Sequence, residues 1–209
     1  DKNLFRISNC KFVNLYHGIG FGNTKLTGSF AMSSISNCHF ETVTYGVKGL
    51  ENGEYVNISN CMGYNNTNHI EFAGGNVNVS DCIITSGVNG INVLSGANDS
   101  HGIISGCEVN HTTGNAIFFD GISKGMTVSA THVFAADIYL KDCSGVSFIN
   151  CMLDVNAFNF ENALGSVFSH NRHLTGYPNT VDKTHNATPA STVIATENYL
   201  LDGTVYSGI

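Results

Sequence analysis

Short runs along this chain alternate apolar and polar residues with period two, the pattern of strands that bury one face. Near the start, Phe5 and Ile7 point one way while Arg6 and Ser8 point the other. The alternation slips by one residue at Asn9, and Cys10 and Phe12 resume the inward set. Such a slip inverts every side chain unless the backbone turns, so a sharp corner is predicted there. The unit then recurs. Ile7-Ser8-Asn9-Cys10 returns as Ile35-Ser36-Asn37-Cys38, Ile58-Ser59-Asn60-Cys61, Val79-Ser80-Asp81-Cys82, Ile104-Ser105-Gly106-Cys107 and Phe148-Ile149-Asn150-Cys151. Weaker copies are Val128-Ser129-Ala130-Thr131, Phe168-Ser169-His170-Asn171 and Ile194-Ala195-Thr196-Glu197. The corner column therefore reads Asn9, Asn37, Asn60, Asp81, Gly106, Ala130, Asn150, His170 and Thr196, mostly residue types that tolerate positive φ.

A second motif keeps step with the first. It runs Gly18-Ile19-Gly20-Phe21, Gly46-Val47-Lys48-Gly49, His69-Ile70-Glu71-Phe72, Gly90-Ile91-Asn92-Val93, Ala116-Ile117-Phe118-Phe119, Asp137-Ile138-Tyr139-Leu140 and Ala157-Phe158-Asn159-Phe160. Each repeat of ~23 residues thus reads strand, sharp corner, strand, looser turn, third strand and loop. Three short strands per repeat, stacked on the next repeat, make a parallel β-helix. The expected fold is all-β, a single-stranded right-handed parallel β-helix (solenoid) of about nine coils, one domain over residues 1–209. A leucine-rich repeat has a similar period but needs a Leu-x-x-Leu-x-Leu frame, which is missing from the repeat.

Composition fits this picture and narrows the partners. Only 12% of the 209 residues are charged, against about 25% in ordinary globular chains, and Asn, Ser, Thr and 23 glycines keep the surface wet. A net charge of −7 with nine Lys plus Arg argues against nucleic acid and anionic membranes as partners. No apolar run reaches the ~18 residues of a membrane span, so no membrane insertion is expected.

Six of the seven cysteines (Cys10, Cys38, Cys61, Cys82, Cys107, Cys151) share one inward column just past the corner. A column spreads ligands along a line, whereas zinc wants a tetrahedron, so no metal is expected and no cofactor is implied. Stacked side chains ~4.8 Å apart are also too far apart for unstrained disulfides, which points to free thiols and folding in a reducing cytoplasm. Cys143 falls outside the column.

The Ile-Ser-Asn-Cys corner resembles that of the pectin-lyase-like right-handed β-helix superfamily, whose corner carries an asparagine ladder. The Asn-rich, cysteine-stacking texture is similar to bacteriophage tailspike and appendage proteins. That resemblance implies a homotrimer on a virion tail, recognising a host cell-surface polysaccharide and acting as a depolymerase. In the superfamily the substrate groove runs along the outer face of the third-strand sheet. Outward positions there are Lys48, Glu71, Asn92, Phe118, Tyr139 and Asn159, and one position beyond the inward pairs lie Ala73, Leu94, Asp120, Lys141 and Glu161. Phe118 and Tyr139 suit the apolar face of a sugar, and Lys48, Asn92 and Asn159 suit its hydroxyls. The alternative is an ordinary polar ladder with Phe118 under a loop.

For hydrolysis, Asp120 with Glu161 or Glu71 are the candidate acids. Asp120 and Glu161 lie two coils apart, ~9.6 Å at Cα, within reach of an inverting separation. The competing explanation is charge neutralisation along the sheet, with Lys141 between Asp120 and Glu161 and Lys48 beside Glu71. Polyuronate lyases of this fold use a catalytic arginine and calcium-binding acids. Here the arginines are Arg6 and Arg172, neither on that strand. Of the polygalacturonase pattern only His101-Gly102 matches, on another strand. Asp99-Ser100-His101 makes a weak acid–base pair, and His170-x-x-His173 reads as loop. Asn57 and Asn78 head sequons but fall within strands, which fits composition better than glycosylation. From 172 to 192 the motif fails and both prolines occur, predicting a long loop excursion. An open lower end would expose unpaired backbone, so the chain is expected to be a segment of a longer one. The other functions considered are a secreted bacterial polysaccharide lyase or epimerase, and a non-catalytic structural or glycan-binding β-helix.

Overall fold

Inward apolar residues at one position of each repeat fall directly over one another: Ile7, Ile35, Ile58, Val79, Ile104, Val128, Phe148 and Phe168 pair in sequence. The computed structural model describes residues 4–21, 30–49, 53–96, 100–173, 179–182, 192–200, 203 and 205–206. Its first sheet has nine parallel strands: Arg6–Ser8, Ser34–Ser36, Val56–Ser59, Asn76–Ser80, His101–Ser105, Met126–Ser129, Ser147–Ile149, Ser166–Ser169 and Val193–Thr196. Their spatial order is their chain order, as in a solenoid. The second and third strands of the coils form a 16-stranded sheet, because in two coils they merge into Met62–Ala73 and Ile83–Leu94. The one antiparallel pairing among the described strands joins Asn198–Leu200 to Val205–Tyr206. No helix occurs among the described residues.

Nine strands stack, but the enclosed turns number fewer than the nine coils expected. Six coils, those opening with Ser34–Ser36 through Ser147–Ile149, have buried inward positions on all three faces. At the first coil Ile7 and Phe12 are only half-buried, because no described coil packs beneath them. For the same reason Cys10 occupies its column position yet is exposed, unlike the other five cysteines of the column.

Eight of the nine predicted corners have positive φ, from Asn9 at 57° to His170 at 56°. The ninth falls on Glu197, not Thr196. Register explains the difference, since Ala195 pairs with Phe168 and Thr196 with Ser169. The inward set is therefore Val193 and Ala195, and Ile194 points out at 57% exposure. The second turn is as sharp as the first: Asn14, Thr42, Asn65, Ser86, His111 and Ala135 all have positive φ.

Each first corner is closed by the inward residue after it. The thiols of Cys38, Cys61 and Cys82 each donate to the carbonyl two residues back, across the corner, at 3.3 Å. Thr131 copies this with its hydroxyl at 3.0 Å. In later coils the column turns to amides. Asn171 accepts from the Cys151 N–H at 2.9 Å and donates to the Phe148 carbonyl at 3.0 Å, and Asn198 repeats the pair one coil on. The amide ladder thus runs inside the coil, one residue past the corner, while the corner residues Asn9, Asn37, Asn60 and Asn150 are exposed. Asn66 plays the same part at the second corner, bridging the Val43 N–H and the Phe40 carbonyl. Cys143 belongs to a column at the third corner, following Asp142 as Ala163 follows Asn162, and its thiol donates to Lys141 at 2.9 Å.

Within the stretch expected to leave the stack, Arg172–His173 and Asn179–Asp182 are strands, the latter parallel to Ala157–Glu161. Residues 174–178 and 183–191 of that excursion lie outside the described residues. His173, read from sequence as loop, is fully buried against Phe158, with ring centroids 6.0 Å apart.

Candidate functional site

The third strands set the candidate residues in columns because inward Ile, Val and Phe alternate with outward polar and aromatic residues. Register runs Lys48, Glu71, Asn92, Phe118, Tyr139, Asn159, one residue per coil. Beside it runs Leu94, Asp120, Lys141, Glu161. All eight residues singled out from sequence therefore share one face.

At one end Lys48 reaches Glu71 at 2.9 Å, and its ammonium sits 3.7 Å from the centre of the Tyr45 ring. Burial opposes the charge there, but Glu71 and Tyr45 together hold the lysine above its ordinary range. In the middle, the Phe118 and Tyr139 rings lie 5.2 Å apart, tilted by 39° and both partly exposed. The Tyr139 hydroxyl donates to Glu161. Burial first, then that carboxylate, push Tyr139 up to about 12. Asp120 is neutralised by Lys141 at 3.7 Å. Each candidate acid is thus engaged by a neighbour: Glu71 by Lys48, Asp120 by Lys141, Glu161 by Tyr139.

Asn92 behaves differently. It occupies an outward position yet is only 5% exposed, and its Nδ2 reaches Asn68 at 3.3 Å. Its Oδ1 is buried without a hydrogen-bond partner, a state that costs about 1–3 kcal/mol. Asn159 is also buried, donating to Asp137 at 3.4 Å.

Sequence reasoning missed the column on the other side of the strip, where Tyr45, Asn68, Asn89, Asn115 and Asp137 stand. Asn89 donates to Asn68 at 2.9 Å and accepts from the Asn115 N–H at 3.2 Å. Strict alternation could not place these residues, because two consecutive residues turn inward just after them, as His69 and Ile70 do. The signal was the glycine of the second motif: a Cβ on Gly46 would lie 2.4 Å from the His69 carbonyl oxygen.

Ser100 is buried, donating to Leu94 at 2.6 Å and accepting from the Gly74 N–H, while Asp99 lies outside the described residues. His170 pairs with Glu197, away from His173 in the core. Among the described residues, no three His, Cys, Asp or Glu side chains gather closely enough to hold a metal ion. A cleft of about 330 Å³ lined by Met152, His170, Arg172 and Tyr199 lies on another face. No protein family, curated protein or solved structure matches this chain.

Proposed function

We propose that the outward third-strand face binds a polysaccharide, in a phage tailspike-like protein that recognises a host cell-surface glycan. The observation that carries this reading is the Phe118–Tyr139 pair. Two partly exposed rings, 5.2 Å apart on neighbouring coils, are flanked along one column by the amides Asn92 and Asn159. Rings on a rigid sheet offer apolar sugar faces a platform at little entropic cost. The engaged state of every candidate acid favours binding over bond cleavage.

Hydrolysis by Asp120 and Glu161 is the second reading, favoured by their place in one column with a single coil between them. Calorimetric titration of the chain with capsular and O-antigen polysaccharides tests the first reading, with Phe118→Ala expected to weaken binding by about tenfold. Unchanged affinity in that variant removes the strip from recognition. New reducing ends during incubation that disappear in Asp120→Asn would promote the second reading over the first.

A further inference from the structure

The strip is crowded with acceptors. The third-strand segments from Tyr45–Gly49 to Ala157–Glu161 carry two lysines, Lys48 and Lys141, and four carboxylates, Glu71, Asp120, Asp137 and Glu161. Both lysines are already engaged, at 2.9 Å by Glu71 and 3.7 Å by Asp120. The other two carboxylates accept hydrogen bonds from neutral donors, the Tyr139 hydroxyl and the Asn159 amide. Midway along the strip, Asn92 Oδ1 is a buried acceptor lacking a donor. A ligand completing this surface brings O–H and N–H groups. One bringing carboxylate or phosphate would face a net negative strip and would have to break a lysine pair to find a cation.

We infer that the glycan recognised here is rich in donors and carries no acid: a neutral or amine-bearing polymer, as opposed to a uronate, sialate or phosphate polymer. This rests on the reading of the face as a glycan surface and adds its chemical class. A hydroxyl that displaced the covering side chains and reached Asn92 Oδ1 would satisfy a buried acceptor at the centre of the strip.

The test is the full chain on a printed array of neutral, amine-bearing and acidic oligosaccharides, followed by titration of the ligands retained. Neutral or amine-bearing glycans are expected to bind at least about tenfold more tightly than acidic ones. Their binding is expected to weaken about tenfold in Phe118→Ala and to fall in Asn92→Ala; Phe118→Ala, at a partly exposed site, decides the point if Asn92→Ala fails to fold. Preferential retention of acidic glycans that is lost in Phe118→Ala overturns the chemical class and leaves the glycan face standing. Neutral binding of unchanged affinity in Phe118→Ala moves the sugar to another face and overturns both, as does an array on which nothing is retained.

Discussion

Gly63 and His69 share one space inside the coil: a Cβ on Gly63 would lie 2.2 Å from His69 Nδ1. Neighbouring coils fill the same space the other way round. Gly63 pairs with Phe40 below and Ile84 above, where the large residue comes first. In the coil below, a Cβ on Gly46 would meet Phe40 at 3.3 Å, so there the small residue comes second. The core keeps its volume by exchanging large and small between two positions of one turn. Gly63→Ala is therefore expected to destabilise the chain by about 1–3 kcal/mol in urea denaturation. In a His69→Gly background most of that cost should vanish, since the clashing ring is gone. A cost that simply adds in the double variant would mean the two positions are uncoupled.

His69 also sets an acid limit on stability. Its Nδ1 accepts from Asn66 Nδ2 at 2.9 Å and its Nε2–H donates to the Ser86 carbonyl at 2.7 Å, the tautomer that satisfies both partners. Protonation would set a second donor against the Asn66 amide. Burial lowers His69 from 6.5 to about 4, whereas in the unfolded chain it titrates near its free value. The unfolded chain takes the proton first. Stability is thus full above pH 6.5 and is lost as pH falls toward 4, by about 3 kcal/mol. His173, lowered by burial as well, acts in the same direction. Urea midpoints at pH 7.5 and pH 4.5 measure the drop, which should shrink in His69→Gln. An equal drop in that variant would clear His69 of responsibility.

The fold was legible because period-two alternation and the one-residue slip at each corner are backbone facts written in side-chain polarity. Eight corners and the whole Lys48-to-Asn159 column could be placed from them. At other positions polarity and direction part company. Ile194 is apolar yet points out, so strict alternation sets the last corner one residue before Glu197. His69, Asn66 and Asn171 are polar yet buried, each bonded to polar groups on a neighbouring coil or within its own turn, and such partners appear only once the coils are stacked. The strip's residues were readable for the same reason as the fold, but their pairings were not. The engagement of Glu161 by Tyr139 depends on side-chain reach across a coil, which register alone does not give.

The cysteine column gives a count that chemistry can check. Cys10 is exposed, while the other six cysteines are buried. Contact with Cys82 lowers the Cys61 and Cys107 thiols and burial pushes Cys143 and Cys151 up to about 11, but all six are 4% exposed or less, which closes them to a reagent in the native chain. An aromatic disulfide reagent should therefore titrate one fast thiol per native chain and release the remaining six only after denaturation. Cys10→Ser should abolish the fast phase without changing the unfolding free energy from urea titration by more than about 0.5 kcal/mol. Several fast thiols in the native chain would mean that the column does not face the core.

Tyr139 offers a spectroscopic handle on the candidate strip that needs no ligand. Ionising its phenol places a second negative charge against Glu161 and removes the hydrogen bond donated to it, and burial already disfavours the charge. In an alkaline titration followed by phenolate absorbance, one tyrosine should ionise late, near pH 12, and be missing from the trace of Tyr139→Phe. Glu161→Gln removes the charge but preserves the side chain's size, so the late transition should move to lower pH without vanishing. The part due to burial should remain and keep it above the ordinary tyrosine value. Should Glu161→Gln leave the transition where it is, the carboxylate is not what the phenol feels, and Glu161 is then as open to a sugar or a water as Asp120 would be without Lys141.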